Sequence, residues 1–176
     1  PLPLRRAVWW GGAMTTPAAR HEGGEHDGRL WKWYAATHVS VAQPDGTRLT
    51  LRPEPEGQSG EWPWGRFEEA WILTACNPRS VPLSESDNLA RHRLLGRDLE
   101  AIGATFLPAD GYDPDQQGWA EPGYCVMGIS QVWVNSLARR WEQNAVFHWT
   151  PEAWAVVGAM LPGRERMGWS LAVSAR

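Results

Sequence analysis

The sequence is poor in cysteine, in net charge and in long apolar runs, and each shortage excludes a class of protein. Two cysteines in 176 residues, Cys76 and Cys125, cannot staple a fold. Both lie in strand-like runs with neither CxxC spacing nor a base nearby in sequence, which reads as buried structural thiols in a reduced compartment. A formal charge of -3 gives no general attraction for a phosphate backbone or an anionic bilayer, so neither nucleic acid nor a membrane is an expected partner. No apolar stretch approaches the roughly 18 residues of a spanning helix, and the expectation is a soluble, cytoplasmic protein. Also missing are a P-loop, a dinucleotide fingerprint, a GxSxG elbow and zinc-pair spacing, so no cofactor and no metal is expected. "HEGGEH" imitates a zinc-protease motif, but His21 and His26 are five apart around a Gly-Gly pair that disfavours a helix.

What is present is enough for one domain: 43% of the residues are apolar, and 13 tryptophans are scattered in a way that suits core and rim packing. Residues 1–28, rich in Gly, Pro and Ala, read as a disordered tail, with Met14 a candidate natural start. Residues 29–160 read as a single α+β domain, and 161–176 as a C-terminal extension able to add an edge strand. Within the domain, Val39 and Val41, the Pro44-Asp45-Gly46 turn, and Leu49 and Leu51 predict a β-hairpin. A Pro/Gly-rich loop, 53–66, separates it from the main unit.

The main unit reads β-α-β-β-α-β. Its predicted parts are a strand over 70–76, a helix capped by Ser84 and stopped at Gly103, strands over 104–109 and 124–129, a helix from Ser130 with Val134, Leu137, Ala138 and Trp141 on one stripe, and a strand over 145–149. This order predicts an open, ferredoxin-like split βαβ sheet with neighbour order 4-1-3-2, extended by the N-terminal hairpin and a C-terminal strand. "TPEAWAVVGAM" is read as that further strand.

Such a sheet gathers sequence-distant polar groups at one edge: the turn "CNPRS" with Asn77 and Arg79, Asn88 at the start of the first helix, the loop from Asp110 to Glu121 with Trp119, and Gln143-Asn144. Each is also a routine turn former. Asn77 before Pro78 suits an extended position bonding its own backbone, and Gln143-Asn144 suits a helix cap. Together they predict a cleft wall. Glu121, beside Trp119, is the candidate general acid/base, because an apolar neighbour raises a carboxyl pKa toward neutrality. Its plain alternative is a surface ion pair. Asn77, Gln143 and Asn144 would orient a polar ligand, and Arg79 would hold a carboxylate or phosphate. His148 reads as a satisfied sheet histidine and His92 as solvated.

The segments "TACNPRS", "SESDN", "GYDP", "WAEPGYCVMGIS" and "EQNAVF" resemble the bacterial domain of unknown function 3293 family, over roughly residues 31 to 158. The resemblance implies a bacterial cytosolic protein and supplies no reaction. The sequence departs from the family's pattern at Cys76, where a tryptophan is expected, which weighs against a catalytic thiol. Three functions stay open: a module binding a small polar or anionic molecule at this edge, a small hydrolase or transferase using Glu121, and a protein-interaction domain suggested by Trp62, Trp64 and Trp119.

Overall fold

The computed structural model describes residues 23–115 and 120–175, with side chains from residue 28 onward. Its elements follow the hydrophobic pattern closely. They are helix α1 (Gly23–Ala36), strands β1 (His38–Ala42), β2 (Arg48–Glu54) and β3 (Ala70–Thr74), and helix α2 (Glu85–Ala101). Strands β4 (Thr105–Tyr112) and β5 (Glu121–Met127), helix α3 (Gln131–Arg140), and strands β6 (Ala145–Trp149), β7 (Trp154–Gly158) and β8 (Arg164–Ser174) complete them. Ser84 caps α2 by accepting from the Asp87 amide at 3.1 Å. Asp45 Oδ1 holds the β1-β2 turn by accepting from Thr47 N at 2.9 Å.

The open ferredoxin-like sheet is not formed. The eight strands close into an antiparallel barrel in the order β1-β2-β8-β7-β6-β3-β5-β4, with β4 returning to β1. The four strands expected to make the open sheet do lie side by side as β6-β3-β5-β4, but both of their free edges are covered. The β1-β2 hairpin pairs with β4, with Val39 opposite Gly111, and β7 pairs with β6. The C-terminal segment, expected as an edge strand, is internal. Its 11 residues pair first with β7, Met167 opposite Trp154, and then with β2, Gly168 opposite Glu54. Closure removes every edge that would otherwise present unpaired N–H and C=O groups. At the partner switch a Cβ on Gly168 would fall 2.2 Å from Pro55 O and 2.4 Å from Gln58 O, so only glycine lets the preceding loop cross there.

Alternation along the strands divides the apolar residues between two cores. All eight strands contribute to the barrel interior, which includes Val39, Val41, Leu51, Ile72, Cys125, Met127, Trp149, Trp154 and Trp169. Trp149 and Trp169 meet edge to face at 5.2 Å. The interior is thus a packed apolar core. On the outer face, Trp71, Leu73, Val126 and Val157 pack under Leu95 and Leu99 of α2 and Val134, Leu137 and Trp141 of α3. Helix α1 begins within the segment read as a tail and packs against β7 and β8. The "HEGGEH" segment lies outside the described side chains.

Candidate functional site

Strand β3 ends at Thr74, and the chain then turns sharply under unusual backbone strain. Asn77 has φ 46, Arg79 φ 54 and Ser80 φ 59, and Glu142, just past α3, has φ 55. Among the described residues these are all the non-glycine residues with positive φ, and they meet at one end of the barrel. Arg79 N donates to Glu142 O at 2.7 Å, and Arg79 Nε reaches Glu142 Oε2 at 2.9 Å. Left-handed non-glycine residues each cost on the order of 1–3 kcal/mol and concentrate at functional sites. Asn77 is therefore not in the extended pre-proline position its sequence suggests; asparagine is the residue type that best tolerates the conformation observed.

The side chain of Asn77 is the hub. Its Oδ1 accepts from Leu83 N at 3.1 Å and from Asn88 Nδ2 at 2.8 Å, its Nδ2 donates to Glu121 Oε2 at 2.8 Å, and its own N–H donates to Asn88 Oδ1 at 2.8 Å. Asn88 is buried on the first turns of α2, so the helix fixes the amide that fixes the turn. Gln143 is buried and donates from Nε2 to Cys76 O at 2.9 Å and to Trp141 O at 3.1 Å, so it serves α3 as a cap and clamps the turn as well. Asn144 Nδ2 donates to Ser80 Oγ at 3.1 Å, and Tyr34 OH on α1 meets the same hydroxyl at 2.8 Å.

Glu121 is the first residue of β5, opposite Gly111 on β4; the loop expected from Asp110 to Glu121 is shorter, because β4 runs on through Tyr112. Glu121 and Asn77 both keep partial exposure. Burial of the Glu121 carboxyl raises its pKa from an ordinary 4.5 to about 7, and the hydrogen bond from Asn77 opposes the rise; the nearby Thr74 hydroxyl donates to Pro122 O at 2.9 Å. A carboxylic acid poised near neutrality, held by a rigid amide, can bind a hydrogen-bonding ligand or transfer a proton.

The structure brings together Asn77, Asn88 and Glu121 directly, with Arg79, Gln143 and Asn144 beside them. It does not bring in Asp110, whose carboxylate pairs with Arg48 at 2.6 Å; at alternate positions on β4 this side chain lies on the outer face, opposite in sense to the interior Ala109. Trp119 lies outside the described residues. Of the tryptophans proposed as an interaction surface, Trp62 and Trp64 pack on the barrel core, Trp62 Nε1 donating to Trp64 O at 2.9 Å.

Sequence reasoning missed Thr74, Ser80, Glu142, Tyr34 and Arg91. Thr74 was detectable as the one hydroxyl in an apolar strand, and Glu142 as a helix-terminating residue where glycine is usual. Arg91 supports the turn from α2, donating to Ala75 O at 2.5 Å and to Trp141 O at 2.8 Å.

Both thiols are buried and free. Burial pushes Cys76 up to about 12 and Cys125 higher still, so neither is a nucleophile at neutral pH. His148 is satisfied on both nitrogens, 2.7 Å from Glu69 and 2.9 Å from Arg164. His92 is half-buried and stacks on Tyr124 at 4.4 Å. Among the described residues no His, Cys, Asp and Glu cluster could hold a metal. A groove of about 490 Å³ lies at the opposite end of the barrel, lined by Ala101, Ile102, Gly128, Ile129, Ser130 and Trp133; it offers one side-chain hydroxyl and no titratable group.

Residues 73–146 match a family model described as Protein of unknown function (DUF3293). The matched segment contains the whole polar cluster except Tyr34, and it leaves out α1, β1, β2, β7 and β8. No curated protein and no solved structure matches the chain.

Proposed function

We propose, from the geometry of the polar cluster within residues 73–146, which match a family model whose description assigns no activity, that the protein binds a small polar molecule at the barrel end, with Glu121 as the titrating contact. The observation that carries this reading is the convergence of four strained non-glycine residues on one rim, braced by buried amides that hold Asn77 against Glu121. Strain of this kind persists only where the surroundings over-determine it. Asn77 and Asn88 are engaged with each other, Gln143 with two backbone carbonyls and Asn144 with Ser80 Oγ, so their role is to position, and Glu121 is the group left to meet a ligand.

Thermal stability against a panel of nucleotides, amino acids, sugar phosphates and amines tests the reading. A ligand at 100 times its dissociation constant that binds only the folded state adds about 2.7 kcal/mol. The shift is expected to vanish in Asn77→Ala and in Glu121→Gln. A well-folded protein that no compound stabilises would remove the small-ligand reading.

A second reading, hydrolysis or group transfer with Glu121 as general acid/base, is favoured by a carboxyl that titrates near neutrality. Glu121→Gln separates the two: an enzyme loses turnover while it keeps its ligand, whereas a binding module has no turnover to lose.

A further inference from the structure

Among the described residues Glu121 has no ion-pair partner; the ion pairs present are Arg48 with Asp110, Arg79 with Glu142, Arg140 with Asp98, His148 with Glu69 and Arg166 with Glu56. The hydrogen-bond partner of Glu121 is neutral, the Asn77 amide at 2.8 Å. The four residues before Ala120, Gln116-Gln117-Gly118-Trp119, carry no cationic side chain in the sequence.

The cations around the turn are committed elsewhere. Arg91 is held by two backbone carbonyls, and the charge of Arg79 is met by Glu142. The amide donors are likewise engaged, Gln143 with Cys76 O and Trp141 O and Asn144 with Ser80 Oγ. Among the described residues the arginines of the turn are thus engaged, Arg79 by a carboxylate and Arg91 by backbone carbonyls, and Glu121 is an acid with no positive charge paired with it. An ionised carboxylate in such surroundings gains most from an opposite charge within about 4–6 Å, delivered through N–H donors.

We propose that the ligand of this site carries a cationic nitrogen, an amine or an amidine, which pairs with Glu121 as the carboxylate. This rests on the small-molecule function proposed above and narrows it, setting aside the anionic ligand that the sequence suggests through Arg79. Binding exchanges one positive charge for another: the carboxylic acid releases its proton to solvent as the ligand cation takes its place. Asn77 stays on Oε2 throughout and holds the carboxylate in register.

Isothermal titration calorimetry with butylamine, agmatine and benzamidine, in two buffers of different ionisation enthalpy, tests the proposal, with acetate, inorganic phosphate and glucose as comparators. At pH 6 a cation is expected to bind with release of close to one proton. Its affinity should rise about tenfold per pH unit below neutrality and level off above it. Glu121→Gln should abolish both binding and proton release while melting cooperatively. Failure of all three cations to bind overturns the proposal, as does binding with no proton release at pH 6. Binding of phosphate, acetate or glucose that depends on Glu121, without cation binding, would leave the small-molecule function standing and this inference refuted.

Discussion

Glu121 sits where burial and hydrogen bonding pull its proton in opposite directions: desolvation raises its pKa to about 7, and the Asn77 donor limits the rise. The folded protein therefore holds a proton that the unfolded chain, near its ordinary 4.5, has released. Stability linked to this group is fully present below about pH 4.5 and is lost as pH rises through 7, by at most roughly 3 kcal/mol. Urea unfolding at pH 5 and pH 8.5 should show Glu121→Gln gaining on the wild type only at the higher pH; a constant difference between the two would contradict the assigned burial. Asn77→Ala should cost about 2–3 kcal/mol through its severed hydrogen bonds and strained backbone. Asn77→Gly, which accepts the left-handed conformation, should cost about 1 kcal/mol less, and both should raise the Glu121 pKa, read by carboxyl carbon chemical shifts. At this scale the sequence pointed to Asn77, Asn88 and Glu121 through residue type and the strand order that gathers them at one edge. The left-handed backbone at Asn77 was hidden, because a residue before proline ordinarily takes extended conformations.

The two outer helices end in the same motif with different residues. After α2, Gly103 N donates to Glu100 O at 3.0 Å and Ala104 N to Leu99 O at 3.1 Å, with Gly103 at φ 69. After α3, Glu142 N donates to Arg139 O at 3.1 Å and Gln143 N to Ala138 O at 2.8 Å, and Glu142 stands where glycine is favoured. Nothing lies near a Cβ at Gly103, so Gly103→Ala should cost about 1 kcal/mol from the backbone alone. Glu142→Gly removes strain and one exposed ion pair with Arg79, and a net gain of up to about 1 kcal/mol is expected by chemical denaturation. A loss of more than about 1 kcal/mol would show that the pair with Arg79 outweighs the strain. The helices, caps and strands of this region were legible because periodicity and capping chemistry act over a few residues. The extension of β4 through Tyr112 was not, since Asp110-Gly111-Tyr112 reads as turn until β1 is there to pair with it.

For the whole molecule, closure depends on β8, which joins β7 to β2 and buries Trp169 in the interior. Truncation after Gly163 should leave two open edges and an exposed tryptophan core, giving a chain without cooperative thermal unfolding or a near-ultraviolet dichroism signal; a truncated protein that melts sharply would mean that the outer core alone sustains the fold. Trp169→Ala in the full chain should cost about 3–5 kcal/mol. The sequence by itself determined where most strands and the two outer helices lie and that Asn77, Asn88, Glu121, Gln143 and Asn144 come to one end, because these follow from local periodicity and from the neighbour order of β6-β3-β5-β4. Only the tertiary structure decided that the sheet closes, that Asp110 faces outward, and that Glu121 is, among the described residues, an acid with no ion-pair partner. Each of these depends on which backbone edges, charges and water are left over once strands far apart in sequence have paired, and no local pattern carries that sum.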